Sequence, residues 1–142
     1  MNREIKFRGK KIMCEEPDDW CYGSYLQRTT RYAQKKYYIF EESHKRALHG
    51  RQRLRDCYLD FYEVYPETVG QFTGLHDKDG KEIYEGDIFK TSNGFVAVVE
   101  WDAENGRFLG FTVDRKIVYV GREPAVEVIG NIHDNPELLK SE

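Results

Sequence analysis

The chain has 142 residues, of which 39% are hydrophobic, 33% charged and 14% aromatic. That share of rings excludes global disorder, and apolar runs no longer than five residues exclude a bilayer-spanning helix. The formal charge of -3 is too small to name a partner, and Met1 leads into Arg3, Glu4 and Lys6 without an apolar stretch. No secretory leader is therefore expected, and a cytoplasmic location is.

Ile5 and Phe7 alternate with Glu4, Lys6 and Arg8, the pattern of a half-buried strand. Gly9-Lys10-Lys11 predicts a turn, with Ile12-Met13-Cys14 pairing back, and an acidic loop follows around Pro17. Trp20 to Leu26 reads as a strand with a bulge at Gly23. Tyr37-Tyr38-Ile39-Phe40 predicts a short strand buried on both faces. Residues 41–57 lack β-branched side chains entirely. A short broken helix capped by Ser43 and interrupted at Gly50, or a loop, is expected there. Tyr58 to Tyr65 returns to strand, and Pro66 ends it.

Beyond Pro66 the strand signals are regular. Asp79-Gly80, Gly86-Asp87 and Asn93-Gly94 mark tight turns. Phe95 to Trp101, apolar except for Glu100, fits a central strand. Leu109, Phe111 and Val113 alternate with small residues, Ile117 to Val120 is short, and Val126 to Ile132 carries a kink at Gly130. Asn135-Pro136-Glu137 reads as the capped start of a C-terminal helix. The expectation is a mostly β protein of one domain. Residues 1–65 supply N-terminal strands and the basic segment 41–57, residues 66–134 a small SH3-like or rolled β-barrel, and residues 135–140 a short helix.

Charge is uneven. Residues 1–65 carry +4 and residues 66–142 carry -7, and within 28–55 nine Lys and Arg stand against two Glu. Arg28, Arg31, Lys35, Lys36, Arg46, Arg51, Arg53 and Arg55, with Tyr32 among them, are the candidate contact residues for nucleic acid or a protein partner. Projection of these cations from one exposed face would favour nucleic acid; scatter would favour protein contact. Cys14, Cys21 and Cys57 are an odd set for disulfides, and with His44 and His49 they do not make zinc spacing. Asp77-x-Asp79-Gly80 resembles part of a calcium loop, but the twelfth position falls on Gly86, which has no side-chain oxygen. No cofactor, metal ligand or catalytic residue is assigned.

Three stretches carry a resemblance: Thr68 to Leu75 (TVGQFTGL), Asp77 to Ile88 (DKDGKEIYEGDI) and Val126 to Leu139 (VEVIGNIHDNPELL). Together with Arg3 to Arg8, Trp20 and Tyr22-Gly23, they resemble the signature of the YopX family of phage and prophage proteins. The resemblance implies a mostly β, barrel-like fold with short helices and carries no catalytic residue. Gly70, Gly74, Asp77, Gly80, Gly86, Asp87, Gly130 and Asn131 are the signature positions, each open to a structural reading as a turn or close-approach residue. The functional expectation is an accessory phage or prophage protein acting as a non-catalytic protein-interaction or self-association module, without membrane contact. One alternative is single-stranded nucleic-acid binding through 28–55. A further one is a metal-dependent nuclease built on Pro17-Asp18 and Gln34-Lys35-Lys36.

Overall fold

The computed structural model describes residues 4–13, 18–43, 51–54, 57–120 and 125–140. They fall into two units, residues 4–71 and residues from 72 onward. Both are built almost wholly from antiparallel strands, in two open sheets.

The first unit contains β1 (Phe7–Lys10), β2 (Trp20–Thr29), β3 (Lys35–Ser43), β4 (Arg51–Leu54) and β5 (Cys57–Glu63). Their order is β4-β5-β3-β2-β1. A 3₁₀ turn, Pro66–Thr68, follows, and β6 (Gly70–His76) begins by laying Gly70 and Gln71 against β1. Period-two alternation sends Cys21, Ile39 and Val64 fully inward, with Phe7, Tyr25, Tyr37, Tyr62 and Val69 around them. Each fully buried Ile or Val contributes roughly 1.5–3 kcal/mol relative to exposure.

Four expectations change here. Gly9 and Lys10 lie inside β1, not in a turn, because Gly9 makes room: a Cβ there would meet Val64 at 3.1 Å. Gly23 sits in unbroken register, opposite Phe7, and answers a close approach rather than a bulge. A Cβ at Gly23 would stand 1.9 Å from the Phe40 carbonyl oxygen. The segment 41–57, expected as helix or loop, contributes the end of β3, all of β4 and the start of β5. Pairing of Arg51 with Asp60 through to Leu54 with Cys57 supplies the backbone partners that local propensity did not predict. Residues 44–50 and 55–56 lie outside the described residues, as do Cys14 and Pro17. The strand expected at 37–40 runs instead from Lys35 to Ser43, and of its four central residues only Ile39 is fully buried.

In the second unit, β6 continues from Phe72 and pairs with β7 (Glu82–Tyr84), with a register shift between Phe72 and His76, where Gly74 adopts φ +87°. A five-stranded sheet follows: β8 (Asp87–Thr91), β9 (Val96–Asp102), β10 (Arg107–Phe111), β11 (Ile117–Val118) and β12 (Val126–Asn131). Its order is β11-β10-β9-β8-β12, so the apolar run of β9 is the middle strand. Ile83, Phe89, Ala97, Val99, Val126 and Val128 form the core.

The expected barrel does not close. Among the described residues no ladder joins β11 to β12, which stand at opposite edges. β11 is two residues long, and the outer edge of β12 is already engaged: Lys78 N donates to Val126 O at 3.0 Å and Val128 N to the Asp77 carboxylate at 3.0 Å. The expected C-terminal helix is a single 3₁₀ turn, Pro136–Leu139. Asn135 does not cap it, because its Oδ1 accepts the Asn131 N–H at 3.3 Å instead.

Gly23→Ala is expected to force β2 and β3 apart and to lower the unfolding free energy by about 1–3 kcal/mol, the usual cost of overpacking. Urea denaturation followed by tryptophan fluorescence checks this.

Candidate interaction surface

Alternation in β2, β3 and β5 sets one stripe of side chains opposite the face that carries Tyr25 and Ile39. Register aligns Leu26 with Tyr38 and Arg28 with Lys36 between β2 and β3, and Phe40 with Phe61 and Tyr38 with Glu63 between β3 and β5. The rings meet: Phe61 lies 5.7 Å from Phe40 and 6.2 Å, edge-on, from Tyr38. All three are half-buried, and Leu26 beside them is 45% exposed. This stripe therefore offers partly exposed rings and an aliphatic side chain.

One end of the stripe is cationic. Arg28 and Lys36 are directly opposed, an arrangement that costs energy unless the charges find other partners. Lys36 reaches Glu63 at 3.3 Å. Arg28 forms no ion pair among the described residues. Beyond it the β2–β3 hairpin closes through a five-residue turn, Thr30 to Gln34. Thr30 Oγ1 accepts the Gln34 N–H at 3.2 Å, and Ala33 holds φ +62°. The turn holds Arg31 and Tyr32 outward, Tyr32 being 79% exposed.

The cationic segment is thus not one patch. Arg28, Arg31, Tyr32, Lys35 and Lys36 share this hairpin, although Lys35 lies on the opposite face from Lys36. Arg51 and Arg53 stand on β4, with β5 and β3 between it and β2. Arg53 is level with Tyr58 and Ser43, seven residues along β3 from Lys36, or roughly 23 Å at the usual strand rise. Arg46 and Arg55 lie outside the described residues. Leu26, Phe61 and Glu63 complete the surface but were not singled out by the sequence. Each was a strand residue with no motif or turn signal until register set it on this stripe.

The signature positions are occupied by turn and edge contacts. Asp77 is 8% exposed. Its Oδ1 accepts the Asp79 and Lys81 N–H groups, both at 2.9 Å, and its Oδ2 accepts that of Val128 at 3.0 Å. Burial alone would raise this carboxyl. The three N–H groups and the Lys81 charge outweigh it and hold Asp77 below the usual carboxylate range. Asp87 Oδ2 accepts the Tyr84 N–H at 2.8 Å. Asn131 Oδ1 accepts from His133 and Asp134, both at 2.9 Å. A Cβ on Gly130 would meet Asn135 Oδ1 at 2.6 Å, while Gly80 and Gly86 adopt φ +83° and +91°. Gly70 faces Arg8 across the β1–β6 ladder.

Among the described residues no three His, Cys, Asp or Glu side chains gather as metal ligands. Asp18 accepts the Trp20 N–H at 3.2 Å while Lys36 pairs with Glu63, so two groups considered for phosphate chemistry are engaged elsewhere. Cys21 is buried, its Sγ 3.4 Å from the Gly9 carbonyl oxygen.

A family model described as YopX protein matches residues 6–140, and the chain belongs to the YopX family. Among solved structures it is similar to the crystal structure of protein EF1440 from Enterococcus faecalis. The two share 23% identity over 98% of this chain and 100% of that one, with a TM-score of 0.50. That likeness speaks to the fold. No curated protein matches.

Asp77 stabilises the fold when ionised. Its depressed folded-state pKa makes this contribution complete above the unfolded value near 3.9 and lost as pH falls through the lower folded value. Asp77→Asn leaves one buried N–H without an acceptor. It should cost about 1–3 kcal/mol at pH 7 and flatten the acid limb of a Tm-versus-pH curve.

Proposed function

We propose that the chain is a non-catalytic module that binds protein, a second copy of itself included, through the β2–β3–β5 stripe. The single observation that carries this reading is the set Leu26, Tyr38, Phe40 and Phe61, partly exposed and closed at one end by Arg28. Interfaces favour rings and arginine over scattered lysine and glutamate. The opposite charges of residues 1–65 and 66–142 suit head-to-tail contact between copies. The separation of Arg51 and Arg53 from Arg28 counts for protein over a continuous nucleic-acid track.

Family membership supports an accessory role encoded by a phage or prophage and exercised in the host cytoplasm. We read both units as parts of one family domain. In the second unit, four strands meander and a fifth returns beside the first, an order that supports an SH3-like, partly rolled sheet.

A second reading, single-stranded nucleic-acid binding, is favoured by one hairpin. There Arg28, Arg31 and Lys35 form no ion pair among the described residues and Tyr32 is exposed. Base stacking on such a ring contributes roughly 1–3 kcal/mol.

Light scattering coupled to size exclusion is expected to give the mass of two chains at high micromolar concentration. Leu26→Asp should return it to one chain without changing the circular dichroism. A one-chain mass for the unsubstituted protein throughout contradicts self-association. Salt-sensitive polarisation of a labelled oligothymidylate, lost in Tyr32→Ala, would transfer the assignment to nucleic acid.

A further inference from the structure

Four hairpin turns of the chain share one construction. A Thr or Asp at the first position accepts the N–H of the fifth residue through its side-chain oxygen, and the fourth residue takes a left-handed conformation. The fourth residue is Ala33, Gly80, Gly94 and Arg115, with φ between +62° and +95°. Two of the four turns use glycine, the residue for which this conformation carries no Cβ penalty. Ala33 and Arg115 both hold the position against that penalty, and of the two only Arg115 carries a functional group.

That side chain stands over a groove in the second unit. The guanidinium carbon lies 4.3 Å above the Phe111 ring, and Nη1 donates to Glu100 Oε2 at 2.8 Å. The remaining guanidinium N–H groups have no partner among the described residues. The open groove has a volume of about 730 Å³, within the usual range of small-molecule sites. Val98, Phe111, Ile132 and Leu139 give it an apolar lining, and Glu100, Arg115 and Lys140 also line it. Lys140 forms no ion pair among the described residues. Among the described lining residues two cations therefore stand against one carboxylate.

We propose that this groove binds a fatty-acid-like carboxylate, its alkyl chain on Val98, Ile132 and Leu139 and its head group between Arg115 and Lys140. The planar guanidinium fork suits a carboxylate. Phe111 is already covered by that guanidinium, which leaves aliphatic surface for the ligand body and favours an alkyl chain over a stacked ring. The proposal is independent of the surface on residues 4–71.

Decanoate titrated into the full chain and followed by amide NMR tests it. Saturable shifts are expected at Val98 to Glu100, Phe111 to Arg115, Ile132, Leu139 and Lys140. Binding of 1-decanol should be roughly tenfold weaker or more, the scale of a lost charge-assisted hydrogen bond. Arg115→Gly should weaken decanoate by a similar factor while leaving Tm unchanged or higher, since it relieves the turn. Lys140→Ala should weaken decanoate several-fold at unchanged Tm. The proposal is overturned by an absence of saturable shifts, by shifts spread over the whole surface, or by equal binding of decanol. It is also overturned if Arg115→Gly lowers Tm and Lys140→Ala binds decanoate as tightly as the unsubstituted chain. Arg115 would then serve the fold.

Discussion

A buried carboxylate ties a tight turn to a strand that lies fifty-one residues further along the chain. Asp77 fastens the 77–81 turn through Asp79 and Lys81 and holds β12 through Val128. A charge with so little exposure is costly unless its lone pairs are filled, and charge-assisted bonds to N–H groups are among the stronger ones available. Much of the second unit follows from this contact. With Lys78 N on Val126 O, it engages the outer edge of β12. The sheet consequently ends there and stays open, and a bare edge that would invite stray pairing is covered.

The same logic separates the residues by which the family is recognised from the surfaces offered to partners. Asp77, Asp87 and Asn131 each turn side-chain oxygen to backbone N–H groups, and the turn glycines supply left-handed conformations. Outward chemistry sits elsewhere. In the first unit it is a ring-bearing stripe with a cationic end on β2, β3 and β5. In the second it is a groove beside the 112–116 turn, where an arginine takes a place that glycine fills in two sister turns. A scaffold held by turn chemistry leaves its sheet faces free to differ.

Turns were the most legible feature of the sequence, because Asp79-Gly80 and Asn93-Gly94 announce left-handed positions locally. Arg115 occupies the same conformation without any such announcement, which is why its groove could not be read in advance. The apolar run of β9 declared itself as the centre of a sheet, although only one of its faces, that of Ala97 and Val99, is fully buried. Segment 41–57 misled because strand formation in β4 comes from the β5 ladder, and a ladder is invisible to local propensity. Gly9 and Gly23 misled for a related reason: a glycine that accommodates a neighbour across the sheet looks, in sequence, like one that makes a turn or a bulge. The cations of 28–55 were legible as residues but not as a surface, because register carries Arg53 far from Lys36. The asparagine before Pro136 read as a helix cap and turned instead toward Asn131.

The most direct measurement of the central contact is a carbon-detected NMR titration of the Asp77 carboxyl, read together with the Val128 amide proton. The expected result is a pKa below the ordinary carboxylate value, with the Val128 proton moving at the same inflection. An ordinary or raised pKa, with a Val128 amide indifferent to it, would contradict the view that this carboxylate fastens β12 and bounds the sheet.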